Sequence, residues 1–85
     1  QGSFIRVGFA AESEEVVKNA TLKLQSKQLD LIVANDITEK DSGFGTDTNR
    51  VVIIDKQGRP DNLPLLTKYE VAEKILDRVL GLLSK

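Results

Sequence analysis

The chain has no cysteine, histidine, methionine or tryptophan, and its aromatic residues are three phenylalanines and one tyrosine. Without cysteine and histidine there are no disulfides, no thiolate nucleophile, no imidazole general base and none of the usual zinc ligand sets. Chemistry falls to carboxylates, lysines, hydroxyls and backbone amides. Neither charge sign prevails, with 12 Lys plus Arg against 13 Asp plus Glu. No global field therefore draws the chain onto nucleic acid or an anionic membrane, and any anion must be held locally. No apolar run approaches the roughly 18 residues of a membrane span. The start also lacks the basic and apolar regions of a secretory signal, so the expected location is cytoplasmic.

What is present suits one small globular domain. A chain of 85 residues buries roughly 60 to 65 % of the surface its unfolded form exposes, which makes for a small core. Gln1-Gly2-Ser3 reads as the remnant of a cleaved tag. Phe4 to Ala10 is bulky and β-branched and ends in small residues, which predicts a central strand. Ser13 is placed to cap a helix with Glu14 and Glu15 in its first turn, running to about Lys27. Its apolar stripe is Val16, Val17, Ala20, Leu24 and Leu22.

Leu29 to Ala34 predicts a second buried strand, parallel to the first in a βαβ unit. From Asp36 to Asn49 the sequence is polar and aperiodic, the mark of a long loop. Val51 to Ile54 predicts a third strand, turned by Asp55-Lys56-Gln57-Gly58 into a return strand near Leu63 to Leu66. The exposed edge of that hairpin is a place for a second copy to pair. Thr67 to Glu70 is a capping box. The helix it opens has Val71, Ala72, Ile75, Leu76, Val79, Leu80 and Leu83 on its apolar face. The fold class that follows is α/β: a Rossmann-like partial domain of a parallel βαβ unit, a β-hairpin and a C-terminal helix.

In an open parallel sheet, ligands bind outside the carboxyl ends of the strands. A right-handed crossover puts the ends of the first two strands, Gly8 to Glu12 and Ala34 to Asp36, on one edge. Gly8, Ala10 and Ala11 admit a ligand close to backbone, or else simply pack against the crossover helix. Phe9 offers an aromatic face to a base, or belongs to the core. Asn35 and Asp36 can read hydroxyl or amide groups, or form a turn as the strand ends. Lys23 and Lys27, four apart on a helix, can straddle a polyphosphate or form a solvated face. Phe44, between Gly43 and Gly45, is either a hinged flap or a plug. No Walker loop, dinucleotide fingerprint, Ser-His-Asp set or metal-ligand set is present. By its chemistry the sequence reaches a nucleotide-sized site on an α/β sheet.

The order and spacing of Val7-Gly8-Phe9-Ala10-Ala11-Glu12, then Leu29 to Asp36, then Gly43-Phe44 with Asp47 and Asn49, resembles the C-terminal region of the bacterial phosphopantothenate-cysteine ligases. These are often fused behind a flavin-dependent decarboxylase. The resemblance runs over nearly the whole chain from Phe4. It implies that residues 4–85 are a C-terminal fragment of a ligase domain. That domain joins 4'-phosphopantothenate to L-cysteine through an acyl-cytidylate made from CTP, with magnesium. FMN belongs only to a fused decarboxylase. It implies further that Phe9, Lys23 and Lys27 match CTP-binding positions, and that Gly8, Ala10, Asn35, Asp36 and Phe44 border the site.

The expected partners are CTP, phosphopantothenate, cysteine and a second copy of the parent, and neither nucleic acid nor membrane. The glycine-rich half, the alanine-rich motif and the lysine-bearing mobile segment of the family are absent from this sequence, so the chain alone is expected to be inactive. Lys23 stands roughly 15 Å along the helix from the end near Phe9, at about 1.5 Å rise per residue. That leaves an oblique helix, service by a second subunit, or one misassigned residue. The alternative reading is a non-catalytic α/β binding or dimerisation module.

Overall fold

The computed structural model describes residues 4–37 and 48–84. Its elements are β1 (Val7–Glu12), α1 (Val16–Ser26), β2 (Leu31–Asp36), β3 (Thr48–Asn49), β4 (Val51–Asp55), β5 (Pro60–Asn62), β6 (Leu66–Thr67) and α2 (Lys68–Leu83). Among the described residues, one sheet has the order β1-β2-β4-β5 and a second pairs β3 with β6. β1 and β2 are parallel, as the βαβ reading requires, while β2-β4 and β4-β5 are antiparallel. The α/β class and the βαβ-hairpin-helix plan are therefore as expected.

Successive strand residues face opposite sides of a sheet, so the alternation divides the core in two. On one face Ile32, Ala34, Val52 and Ile54 pack with Ala20 and Leu24 of α1. On the other, Leu31, Val33, Val51 and Ile53 pack with Leu63 and with Val71, Ile75 and Val79 of α2. β2 and β4 are covered on both sides, which is why their sequences are continuous apolar runs.

Several expectations need correcting. β1 begins three residues later than Phe4 and is an edge strand, with Phe4 and Phe9 exposed. Its small residues Gly8, Ala10 and Ala11 mimic a buried run without filling one. Ser13 does not cap α1. β1 extends to Glu12, and the chain turns through Ser13 to Glu15, with Glu15 at the N-cap in a left-handed conformation (φ 42°) and no side-chain cap hydrogen bond. The first turn of α1 therefore holds no acidic residue. Val16, Ala20 and Leu24 face the sheet, whereas Val17 and Leu22 are exposed.

The return strand is Pro60–Asn62, before the Leu63 to Leu66 expected for it; Leu66 and Thr67 instead pair with Asn49 and Thr48. Gly58, at φ +79°, lets the Asp55-to-Gly58 turn close within four residues, its N–H reaching the Asp55 carbonyl at 2.8 Å. β4 lies between β2 and β5 and is buried throughout, so it offers no edge to a second copy. The edge belongs to β5, which is short and begins with a proline that lacks an N–H. The capping box is as read: Glu70 N donates to Thr67 Oγ1 at 3.1 Å and Thr67 N to Glu70 Oε1 at 2.9 Å. On α2 only one stripe meets the sheet, and Leu76, Leu80 and Leu83 are left exposed. Of the span expected as a long loop, Asp36 closes β2 and Thr48–Asn49 form β3, while residues 38–47, Phe44 among them, lie outside the described residues, as do residues 1–3.

Candidate functional site

The parallel register sets Gly8 beside Ile32, Phe9 beside Val33, Ala10 beside Ala34, Ala11 beside Asn35 and Glu12 beside Asp36. The two motif ends thus share one carboxyl edge, the edge where an open parallel sheet offers a ligand site. A backbone bond from Ile37 N to Glu12 O, 3.0 Å, carries the pairing past the last residues of both strands. Asn35 and Asp36 are strand residues here, not members of a turn.

Because β1 alternates, its side chains divide between the two faces. Val7 packs with the α2 cluster and Ala10 with the α1 cluster. Phe9 follows Val7's face but stands at the sheet edge, 71 % exposed, so it is not a core residue of this chain. It forms one wall of a cleft of about 400 Å³ with Val33, Val51, Val71 and Ile75, and Asn35 and Asn49 supply polar groups. Asn35 Oδ1 is buried and accepts no hydrogen bond among the described residues. A larger hollow, about 670 Å³, opens at the opposite edge between Phe4, Arg6, Gln28, Asp30 and Lys56. It lies at the amino ends of β1 and β2, where parallel strands do not present ligand sites, so the smaller cleft is the better candidate.

On the α1 face the sheet edge carries Glu12. Its side chain is 8 % exposed and accepts a hydrogen bond from Lys23 Nζ at 2.6 Å. Lys23 stands in the last turn of α1; a helical side chain leans toward the helix N-terminus, and there its ammonium meets the Glu12 carboxylate that reaches in from the end of β1. Lys27 is different. It is the C-cap residue of α1, where the chain turns toward the start of β2, at the opposite end of the crossover. The two strand ends thus share one edge, with Glu12, Lys23 and Asp36 on the α1 face, Phe9 and Asn35 on the other, and Lys27 at the C-cap of α1.

Gly8 has a structural role beside any other. A Cβ built on it would lie 2.5 Å from Leu29 Cδ1, so a side chain here requires the tip of Leu29 to move. Gly8→Ala is expected to cost about 1 to 2 kcal/mol, because the Leu29 methyl can yield only partly. A thermal melt of the variant checks this, and an unchanged midpoint would show that Leu29 swings clear.

Glu12 was not singled out as a site residue from the sequence. The available signal was its strand parity with Ala10, which sends its carboxylate to the α1 face, and a lysine eleven residues on that leans back toward it. Asn49, already in the motif pattern, reaches the same cleft from β3, whereas Val71 and Ile75 were beyond reach as site residues, since only the packing of α2 on the sheet brings them beside Phe9. Among the described residues no group of three or more His, Cys, Asp or Glu could hold a metal ion.

Comparison with known proteins bears on what the edge serves. The sequence profile of the DNA/pantothenate metabolism flavoprotein C-terminal domain matches residues 1–83. The chain is 46 % identical over 78 residues to the coenzyme A biosynthesis bifunctional protein CoaBC of Bacillus subtilis (strain 168), covering 92 % of this chain and 19 % of that protein. It is 46 % identical over 76 residues to a cysteine/cysteine sulfinic acid decarboxylase of an unknown prokaryotic organism, covering 89 % and 21 %. The chain therefore spans about a fifth of the length of these relatives.

Among solved structures, the C-terminal domain of a CoaBC protein superposes with a TM-score of 0.77 at 45 % identity, over 94 % of this chain and 38 % of that one. The DNA/pantothenate metabolism flavoprotein of Streptococcus pneumoniae superposes at 0.69 with 28 % identity, over 88 % and 31 %. With its profile matched almost end to end and its fold shared, the chain belongs to the DNA/pantothenate metabolism flavoprotein C-terminal domain family.

Proposed function

We propose that the chain, from residue 4 to residue 85, is the C-terminal part of a phosphopantothenate-cysteine ligase of coenzyme A biosynthesis and contributes part of its CTP site. One observation carries the reading: the parallel register brings Gly8 to Glu12 beside Ile32 to Asp36 at one carboxyl edge, with Lys23 drawn back to it. The likeness to CoaBC proteins supports the same assignment. In the reaction, a carboxylate oxygen of 4'-phosphopantothenate attacks the α-phosphorus of CTP and expels pyrophosphate. The amine of L-cysteine then attacks the acyl carbon of the cytidylate, loses a proton and expels CMP.

In this chain Phe9 offers the base an aromatic face, and the cleft beside it carries the Asn35 amide for polar groups on the base or ribose. Lys23 provides a cation for the polyphosphate. Lys27 belongs to the same nucleotide only if another part of the chain or a second copy brings it close. Magnesium would enter with the triphosphate, because it binds through substrate phosphates plus one or two carboxylates rather than an all-protein cage. FMN has its place in a fused decarboxylase, not here, and the assignment carries a cytoplasmic location with it. The exposed stripe of Leu76, Leu80 and Leu83 favours a second role as a contact surface, toward the rest of the ligase domain or a second copy of the parent.

The test is pyrophosphate release by the full-length polypeptide with CTP or ATP, with and without 4'-phosphopantothenate. Release that requires phosphopantothenate and prefers CTP is expected, while the 85-residue chain alone should turn nothing over. A folded full-length protein that releases no pyrophosphate with any nucleotide would leave the contact-surface role as the better reading.

A further inference from the structure

We infer that Glu12 is a positioning residue: its buried carboxylate holds the Lys23 ammonium at the carboxyl edge of β1 and β2, facing outward for the polyphosphate of a nucleoside triphosphate. The inference rests on the proposed nucleotide site and adds a residue to it.

Glu12 is the last residue of β1, yet its side chain is almost wholly covered while that of Lys23 is 45 % exposed. A carboxylate in such a place is costly unless it is paired, and helix-on-sheet packing alone would be served as well by an apolar side chain. It accepts a hydrogen bond from the Lys23 ammonium at 2.6 Å. An ammonium has three donors. One is spent on Glu12, and with 45 % of the side chain exposed the ammonium keeps donors for a ligand from solvent. An anion arriving from that side meets a lysine whose rotamers are already restricted, which removes part of the ordering cost of binding. The other α1 lysines do not share this arrangement. Lys18 pairs with Glu15 at 3.7 Å on the outer surface, and Lys27 lies at the far end of the helix. Glu12 also faces Asp36 across the register, so the ammonium stands where the two strands end together.

The test uses four forms of the full-length polypeptide: wild type, Lys23→Met, Glu12→Met and Glu12→Gln. Methionine keeps the length and apolar bulk of Glu12 but offers no strong acceptor, whereas glutamine keeps a carbonyl oxygen for Lys23. Glu12→Met is expected to raise the KM for CTP about tenfold with kcat within about twofold, and Glu12→Gln to restore most of the loss. Thermal midpoints measured alongside separate positioning from folding.

If Lys23→Met raises the KM but Glu12→Met does not, the inference about Glu12 fails and the lysine's own assignment stands. If Lys23→Met leaves the KM for CTP unchanged, the nucleotide reading of this edge fails and takes the inference with it. If Glu12→Gln is as impaired as Glu12→Met and both melt early, Glu12 serves folding only and the inference is overturned.

Discussion

If the proposed CTP site is right, Phe9→Ala in the full-length polypeptide should raise the KM for CTP by about tenfold or more, since an aromatic–base stack contributes roughly 1 to 3 kcal/mol. The same substitution should leave the melting midpoint of the 85-residue chain nearly unchanged. The two halves of this expectation come from one number. At 71 % exposure, the ring contributes little to the core of this chain, so its loss opens no cavity. A bulky aromatic on an edge strand among Gly8, Ala10 and Ala11 is also an uncovered apolar surface at the rim of a cleft. Steady-state kinetics with CTP and a thermal melt check both. A midpoint that drops by many degrees would make Phe9 a packing residue after all, and an unchanged KM would remove the base from this face of the sheet.

Asp55→Ala should be the most destabilising surface-proximal substitution, at about 3 kcal/mol. For a domain of this size that is a loss on the order of 15 °C in midpoint. Asp55 closes β4, and its carboxylate is nearly buried. Oδ1 accepts from Gln57 N at 3.0 Å and Arg59 N at 3.1 Å, and Oδ2 accepts from Arg59 Nε at 3.2 Å and its terminal nitrogen at 3.0 Å. Arg78 of α2 lies 3.7 Å from the same oxygen and also pairs with Asp61 at 3.2 Å. One carboxylate therefore organises the hairpin turn and ties α2 to it. Alanine leaves two backbone donors and two guanidinium groups to find water, while Asp55→Asn keeps an acceptor for the turn and should cost about half as much.

The same carboxylate, with Asp30, should give the fold a pH dependence in the acid range. Burial by itself would raise the Asp55 carboxyl, but hydrogen bonds from the Arg59 backbone and side chain outweigh it and hold it below its ordinary 3.8. Asp30 is held below the same value by the Arg6 backbone N–H and by Lys56. A carboxylate depressed in the folded state adds stability above its unfolded value and loses it as pH falls through the folded one. The midpoint should therefore stay level from about pH 7 to pH 5 and fall below about pH 4, and Asp55→Asn should flatten part of that fall. Melts over this range decide the matter. A fall that begins near pH 6 would point away from these two carboxylates.

What the sequence determined by itself was local and periodic. The continuous apolar runs of Leu31 to Ala34 and Val51 to Ile54 can be satisfied only by strands covered on both faces. Thr67 and Glu70 specify their cap through bonds three residues apart. The parallel pairing of β1 and β2 follows from a strand, a helix and a strand at crossover length, and with it the shared carboxyl edge.

What the tertiary structure alone decided was everything that depends on how many neighbours an element has. Composition could not distinguish a central strand from an edge strand rich in small residues, so Phe9 passed as a possible core residue until β1 was found at the rim. Nor could helical spacing assign Lys23 and Lys27 to one ligand. The first leans back to Glu12 and the second caps the far end of α1, because α1 stops at Ser26 and the chain turns toward β2. The apolar residues of α2 likewise divided only on docking: a sheet accepts one stripe of a helix, and the stripe, which includes Leu82 rather than Leu83, is selected by contact with Val33, Val51 and Ile53 rather than by periodicity.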